Sequence, residues 1–314
     1  MQIHAVRLLE YGKPLKVEDV DIGEASDGDV VVDMAFGGVN PVDRYAAMGR
    51  LPGGSTPPRT LGVEGSGTLD GRPVMVRGYG IGSTRDGLWS TRALVPKASL
   101  IDVPDGVNLA AAAAMGVAGV TAWRMVTEKA KVTDKDRVLV LGASGGVGSM
   151  VVSVAHALGA TVWGQTTNQS KADWITQRGA DRVVVGNAAD LADMARELHP
   201  TVVIDPLGGE YTGACIELLE PRGRLAIFGT SAGENGNVPL QSLYGKAITV
   251  YGYAGLIEDD KVLAGHITDA LNALRDHRLE VTVDRIMAPE EINDAFRLLG
   301  EQGVQGKLLV DLSG

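Results

Sequence analysis

The sequence predicts an α/β protein in which a doubly wound parallel sheet follows a β-rich half, and three observations predict it. Length comes first: 314 residues suit two domains at about 100 to 200 residues each. Near Asn108 the pattern changes from short strands between turn residues to strands alternating with helices, as βαβ units require. Glycine supplies 42 residues, roughly twice its usual share, and many of these close a predicted strand, where the chain turns or approaches another segment.

In order, the β-rich half reads as HAVRLL, DVVVDMAFGGV, TLGVEGSGTL, RPVMVRGYG and STRALVP, apolar runs bounded by turn residues. An Ala-rich helical run, LAAAAAMGVAGVTAWRMVTEKA, follows. Strands RVLVLGA, ATVWGQ, DRVVVG, TVVIDPLGG, RGRLAIFGT and AITVYGYA then come with helices GVGSMVVSVAHALG, SKADWITQRG and YTGACIELLEP between them. These give about six parallel strands between Val138 and Tyr251, the number that a doubly wound dinucleotide-binding (Rossmann) sheet uses. The tail continues as helix KVLAGHITDALNALRDH, strand VTVDRI, helix APEEINDAFRLLGEQ and strand KLLVDL, and it is expected to rejoin the N-terminal half. The division predicted is residues 1–111 with 253–314, and 112–252 between them, with a cleft between the domains as the expected site.

Composition excludes several classes. Lys plus Arg number 29 against 39 Asp plus Glu, a net charge of −10, which disfavours a surface built for nucleic-acid phosphates. A single cysteine, Cys215, rules out an intrachain disulfide and a multi-cysteine zinc site, and suits a reducing cytoplasm. Its apolar neighbours at helical spacing predict a buried thiol. Glu10 and Lys13 interrupt the N-terminus too early for a signal-peptide core, and the most apolar stretch, Leu109 to Val120, is mostly Ala and Gly. A cytoplasmic protein with no membrane segment is expected.

The sharpest motif is the apolar strand Val138–Leu141 running into Gly142-Ala143-Ser144-Gly145-Gly146-Val147-Gly148 and then a helix. Strand, tight turn and helix N-terminus bring backbone N–H groups and the positive helix end against a pyrophosphate, and glycine is needed where the backbone approaches the ligand. The next strand ends in Gln165-Thr166-Thr167-Asn168-Gln169-Ser170-Lys171, with no acid before Asp173. An acid there would accept the ribose 2′-OH of NAD, whereas hydroxyls and a lysine suit a 2′-phosphate, so NADPH is the cofactor expected. Asn168 or Ser170 also reads as a helix cap.

In chain order the sequence carries Gly38-Val39-Asn40-Pro41-Val42-Asp43-Arg44-Tyr45, Leu61-Gly62-Val63-Glu64-Gly65-Ser66-Gly67, Ala118-Gly119-Val120-Thr121-Ala122-Trp123, the glycine loop, Val203-Ile204-Asp205-Pro206-Leu207-Gly208-Gly209 and Gly306-Lys307-Leu308-Leu309-Val310. In these strings it resembles the medium-chain dehydrogenase/reductase superfamily, most closely the zinc-independent quinone oxidoreductase branch. The resemblance implies a GroES-like catalytic domain built from the β-rich half, beside the Rossmann domain. It also implies hydride transfer to a quinone or to a C=C bond conjugated to a carbonyl, and a homodimer.

By the same resemblance, the zinc ligands of metal-dependent relatives fall at Asn40, Val63 and Val117, and valine cannot coordinate, so no metal is expected. His4, His156, His199, His266 and His277 lack metal-ligand spacing and are read as structural or surface residues. The resemblance makes Tyr45, Asn40 and Asp43 the catalytic candidates. Tyr45 carries a phenol that donates a hydrogen bond or stacks on a ring. The competing reading makes Asn40 a helix cap and Tyr45 a packing residue. Thr121 is expected at the nicotinamide end, and Phe228, Gly229 and Thr230 at a strand's carboxyl end, where open α/β sheets bind ligands. Glu64 is expected as a structural acceptor.

The Gly-rich stretch Gly78–Trp89 reads either as a mobile wall or as a plain hairpin. An alternative substrate class, an enoyl thioester or natural-product enoyl group, would use Arg44, Arg50, Arg59, Arg85 or Arg92 for phosphates. An alternative of another kind is a non-catalytic NADPH-binding structural or regulatory protein. The charge-free strand Ala247–Ala254 should form a sheet edge able to pair with a second copy, unless the helix from Lys261 to His277 covers it.

Overall fold

The computed structural model describes residues 1–51, 53–301 and 303–314. Two compact units emerge: residues 1–120, 258–275 and 281–314 form one, and 121–257 with 276–280 form the other. The predicted helix ending at Gln302 reaches a position outside the described residues.

The first unit begins with β1 (Gln2–Leu8), β2 (Lys16–Asp21) and β3 (Asp29–Val39), followed by helix α1 (Pro41–Ala47). It continues through β4 (Arg59–Thr60), β5 (Glu64–Leu69), β6 (Arg72–Arg77), β7 (Arg92–Pro96), β8 (Leu100–Asp102) and α2 (Leu109–Ala112). β2 and β4 flank β1 in a small antiparallel sheet. A larger sheet is ordered β3-β5-β6-β8, with β7 also on β3, and the two last strands of the chain extend it beyond β3. Eleven residues long, β3 serves three partners in turn: β7 over Asp29–Asp33, β5 from Asp33 to Gly37, and the final strand at its end. A register shift between Met34 and Phe36 interrupts the β3–β5 pairing.

Trp89, fully buried, explains two glycines: a Cβ at Gly37 or at Gly62 would overlap its indole ring. The same ring lies 5.9 Å from that of Phe296, within the range of favourable aromatic pairs.

The Ala-rich run becomes α2, a π-helical turn at Met115–Gly119, α3 (Val120–Arg124) and a second π-helical turn at Met125–Lys129. Its first turns pack on β5 and β6, so the boundary between units follows Val120 rather than residue 111. The return follows Ile257 rather than residue 252.

The second unit contains β9 (Arg137–Val140), α4 (Gly146–Ala157), β10 (Thr161–Thr166), α5 (Ala172–Thr176), β11 (Arg182–Val185), α6 (Ala188–Ala195), β12 (Val202–Asp205), α7 (Glu210–Leu218), β13 (Arg224–Ile227), α8 (Leu240–Gly245) and β14 (Thr249–Gly252). Its six strands are all parallel, in the order β11-β10-β9-β12-β13-β14. That order, in which two halves grow outward on either side of the first strand, is the doubly wound arrangement the alternation predicts. β12 is buried at every position and β9 at all but Arg137, as expected for central strands covered by helices on both faces. Cys215 lies in this core with Ile216, Leu219 and Leu225, and burial pushes its thiol well above the ordinary range, which leaves it chemically inert.

Residues 276–280 attach to the second unit through the Glu280 N–H, which donates to Ser153 Oγ at 3.0 Å, and through Arg278, stacked over Trp123. The first unit closes with α9 (Asp260–Arg275), β15 (Val283–Met287), α10 (Ile292–Gly300) and β16 (Lys307–Asp311). β16 pairs with β3 and β15 with β16, which completes the larger sheet.

Candidate functional site: a glycine cradle and a buried polar cluster

At the carboxyl end of β9 the chain turns through Gly142, whose φ of +57° suits glycine, and enters α4. The turn is closed by the Gly145 N–H, which donates to the Gly142 carbonyl at 2.9 Å. A Cβ at Gly148 would overlap that same carbonyl oxygen, whereas one at Gly145 would stand 3.4 Å from it, at ordinary contact. Gly148 is therefore required for the turn itself. Gly145 is not, and its bare backbone leaves room for something outside the chain. The first N–H groups of a helix have no partner within it, so the segment Ser144–Gly148 offers donors and the positive end of a twelve-residue helix to an anion.

Gln165, a residue the sequence reading passes over, fixes this turn against the next strand. Its side-chain oxygen accepts from the Gly142 N–H (3.1 Å), its backbone carbonyl accepts from the Ala143 N–H (2.9 Å), and its amide nitrogen donates to the Gly186 carbonyl (2.7 Å). Gly164 beside it lacks the Cβ that would press on Ala143 at 2.9 Å. Beyond Gln165, the Thr166 hydroxyl accepts from the Asn168 N–H at 3.2 Å, and Asn168 caps the following 3₁₀ turn by accepting from Ser170 N–H. The cap expected at Asn168 thus forms. Thr167 is exposed, whereas Thr166 and Lys171 are buried. Among the described residues, the end of β10 carries no carboxylate before Asp173.

Two further strand ends lie on this side of the sheet. Asp205, closing β12, is fully buried; its carboxylate accepts from the N–H groups of Leu207 and Gly208 and from the Thr212 hydroxyl. This holds the Pro206–Gly209 turn open beside β13. Phe228 and Gly229 are half-buried after β13, and Thr230 is exposed. A Cβ at Gly229 would stand 2.6 Å from the Pro206 carbonyl, so Gly229 is a packing requirement as well as a candidate contact. Thr121 is buried at the start of the second unit, on α3.

The remaining candidates belong to the first unit, where Asn40, Asp43, Glu64 and Lys307 form one buried cluster. The Asn40 backbone N–H donates to Asp43 Oδ2 (2.9 Å) and the Val63 N–H donates to Asp43 Oδ1 (3.1 Å), so the carboxylate ties the start of α1 to the segment before β5. Asn40 Nδ2 donates to Glu64 Oε1 at 2.7 Å, and Glu64 Oε2 accepts from the Val117 N–H at 2.7 Å. The Lys307 ammonium donates to Asn40 Oδ1 (2.6 Å), to Glu64 Oε1 (2.9 Å) and to the Val39 carbonyl (3.2 Å). Gly38 has no Cβ because one would overlap the Glu64 carboxylate, and a Cβ at Gly116 would press on its other oxygen.

Glu64 is thus the structural acceptor expected, and Lys307 is its counter-ion. Burial, followed by the Glu64 charge, pushes Asp43 up to about 7 against the opposing pull of Lys307. Tyr45, one turn along α1, is 40% exposed.

Hydrogen bonds tie Gly78–Trp89 to the rest of the first unit. Arg59 is buried beneath it and donates to the Gly82 and Ser83 carbonyls, Asp86 accepts from the Thr60 N–H at 2.7 Å, and the Tyr79 N–H donates to Asp260 at 2.7 Å. Arg59 is spent on carbonyls, Arg85 and Arg92 lie 3.7 Å and 2.6 Å from Asp29 and Asp33, and Arg44 packs under Gly300.

A cavity of about 390 Å³ is lined by His156, Arg178, Asp181, His277 and Glu280. It lies at the carboxyl end of α4, away from the glycine turn, and mixes both charge signs without converging on one point. The site is therefore placed by chemistry and not by volume. Among the described residues no three His, Cys, Asp or Glu side chains are grouped to hold a metal ion, and no helix is long and apolar enough to cross a membrane.

Known proteins resemble this chain in sequence and in fold. Residues 146–262 match the zinc-binding dehydrogenase family. The protein YhfP of Bacillus subtilis (strain 168) is 27% identical over 319 residues, covering 96% of this chain and 94% of its own. Quinone oxidoreductase-like protein 2 of Mus musculus is 28% identical over 316 residues, covering 96% and 90%. Among solved structures, the quinone oxidoreductase of Thermus thermophilus, known also in complex with NADPH, superposes with a TM-score of 0.86 at 26% identity, covering 98% of this chain and 100% of its own. The YhfP structure with NAD bound gives 0.83 at 24% identity, covering 99% and 100%, and so shares the fold. Sequence and fold together place the chain in the medium-chain dehydrogenase/reductase superfamily, within its quinone oxidoreductase-like branch.

Proposed function

We propose that the protein is an NAD(P)-dependent oxidoreductase that uses NADPH to reduce a quinone or an α,β-unsaturated carbonyl without a metal. The observation that carries this reading is the glycine cradle at the end of β9. There Gly148 is demanded by the turn, Gly145 leaves its backbone bare, and the first turn of α4 presents donors to a pyrophosphate. Thr166, Thr167 and Lys171, with no acid in the sequence before Asp173, favour the 2′-phosphate and hence NADPH over NADH. When bound, the cofactor supplies a hydride to an electron-poor carbon.

The chain's own residues bind, orient and stabilise. Gly142, Ser144, Gly145, Gly146, Val147 and Gly148 hold the diphosphate; Thr121, Phe228, Gly229 and Thr230 bound the nicotinamide end. Tyr45, exposed on α1, donates its phenol hydrogen bond to the substrate carbonyl oxygen as negative charge develops there, and the proton that completes the reduction comes from this phenol or from water. Asn40 and Asp43 support the start of α1, which carries Tyr45, rather than react, since both are buried and engaged with the chain.

Zinc does not fit. Val63 and Val117 offer hydrocarbon, and the oxygens of Asn40 and Glu64 already hold the Lys307 ammonium. No step is therefore routed through a metal, and simple alcohols, which need a Lewis acid to lower their pKa, should be poor substrates. A reducing cytoplasm suits the buried Cys215.

The test is loss of NADPH absorbance with a panel of para-quinones and enones, before and after chelator treatment. Turnover that survives chelation is expected. Cofactor binding without turnover across the panel would favour the non-catalytic alternative, and zinc-restored activity would overturn metal independence.

A further inference from the structure

We propose that Lys307 is a positioning residue: held by Glu64, its ammonium locks the Asn40 side-chain amide in one of its two flip states, so that β16 governs the group on which α1 begins. The reasoning depends only on donor and acceptor identities. An ammonium can only donate and a carboxylate can only accept. Lys307 Nζ lies 2.6 Å from one end of the Asn40 amide and Glu64 Oε1 lies 2.7 Å from the other. Oxygen must therefore face the lysine and nitrogen the glutamate; the reversed amide would set NH₂ against NH₃⁺ and oxygen against carboxylate.

A third acceptor, the Val39 carbonyl, completes the cradle around Nζ at 3.2 Å, and the ammonium lies 2.9 Å from Glu64. Lys307 is 3% exposed and Glu64 wholly buried, so solvent does not compete for these bonds. Lys307 follows Gly306, whose φ of +108° and closeness to the Thr282 carbonyl both exclude a side chain. The strand thus enters the cradle in one setting. Three oxygens that converge on one point form a cation cradle, and the lysine side chain is its tethered occupant.

Removing the tether should leave a vacancy that a small alkylammonium ion can refill. In protein labelled with ¹⁵N at asparagine, the Asn40 Nδ2 resonances, assigned through Asn40→Leu, should shift or broaden in Lys307→Ala and return with ethylammonium but not with tetramethylammonium, which cannot donate. Melting temperature should follow the same pattern. Because the proposal builds on the reductase reading, kcat is measured separately. It should fall roughly 10- to 100-fold with a smaller change in KM, and ethylammonium should restore it in part.

If the wild-type protein turns over no quinone or enone, the reductase reading fails while the resonance and melting measurements still decide the role of Lys307. Should Lys307→Ala not fold, the double variant Glu64→Gln with Lys307→Met removes both buried charges together, which cores tolerate better than a lone charge. Unchanged Asn40 resonances in either folded variant, or melting rescued by ethylammonium while those resonances stay displaced, would overturn the proposal.

Discussion

Two residues carry separable consequences. Lys171 is the cation nearest in sequence to the hydroxyls that end β10. A charge-assisted bond to a 2′-phosphate contributes about 1.5–3 kcal/mol, so Lys171→Ala should weaken NADPH binding roughly tenfold or more and leave NADH nearly unchanged, as fluorescence titration would show. Equal losses for both cofactors would refute the 2′-phosphate role. Asp43 makes a statement about pH. Its folded-state value, about 7, lies above the ordinary 3.8, chiefly through burial. The folded protein thus holds this proton more tightly than the unfolded chain. The stability it contributes is complete below about pH 4 and is lost as pH rises from there through 7.

Denaturant unfolding at intervals between about pH 5 and 7.5 should show a falling component of stability that disappears in Asp43→Asn. That variant should also be less stable throughout, because an amide oxygen can accept from only one of the two N–H groups of Asn40 and Val63 without presenting NH₂ to the other. An identical pH slope in both proteins would show that Asp43 is ionised normally.

Among the elements, the β9–α4 turn separates what folding needs from what binding needs. Gly148→Ala forces a Cβ into the Gly142 carbonyl and should cost about 1–3 kcal/mol of stability, like other overpacked sites, with cofactor binding lost as well. Gly145 has φ near −78° and a nearest neighbour at 3.4 Å. Gly145→Ala should therefore change stability by less than about 0.5 kcal/mol while weakening NADPH sharply, if the backbone here approaches a pyrophosphate. Thermal melts and titration of the same two variants would distinguish these effects, and a Gly145→Ala protein binding NADPH normally would remove Gly145 from the site.

The elements legible in sequence patterns are those with strong periodicity and glycine ends. β2 (KVEDVD) escapes such a reading because it lies at a sheet edge, largely exposed and rich in charge, with no apolar face to read. The short helix α6 escapes it too. From Leu109 onward the pattern reads as one helix, although two π-helical turns interrupt it.

For the whole molecule, the exposed edge of the parallel sheet carries the prediction of assembly. β14 has a neighbour on one side only among the described strands, and no charge occurs from Ala247 to Ile257. Val250 is 44% exposed, and Leu240, Tyr244 and Ile257 add exposed apolar surface in the same unit. The N–H groups of Thr249 and Tyr253 point inward to β13, so by strand alternation those of Val250 and Gly252 point outward. Pairing β14 with its copy about a two-fold axis would satisfy them.

Light scattering should give twice the 32.8 kDa of one chain, and Val250→Pro should give the single mass, because it deletes an outward N–H while sparing the inner ladder. A wild-type mass of one chain that is constant with concentration would rule the dimer out.

By itself the sequence determined the α/β class, the parallel sheet, the glycine turn, the buried thiol and the absence of an acid at the end of β10. Each of these is written in local periodicity or in the identity of neighbouring residues. Tertiary structure decided which polar residues share a buried site. Asn40, Glu64 and Lys307 meet although 267 residues separate the first from the last, and no local pattern distinguishes the lysine of GKLLV from a solvated one. It also decided that Arg59 is bound to carbonyls, that Gln165 locks the glycine turn, and that Asp43 titrates far from its ordinary value. The physical reason is common to all four: a polar group's role depends on which partners burial leaves within hydrogen-bond reach, and long-range packing chooses those partners.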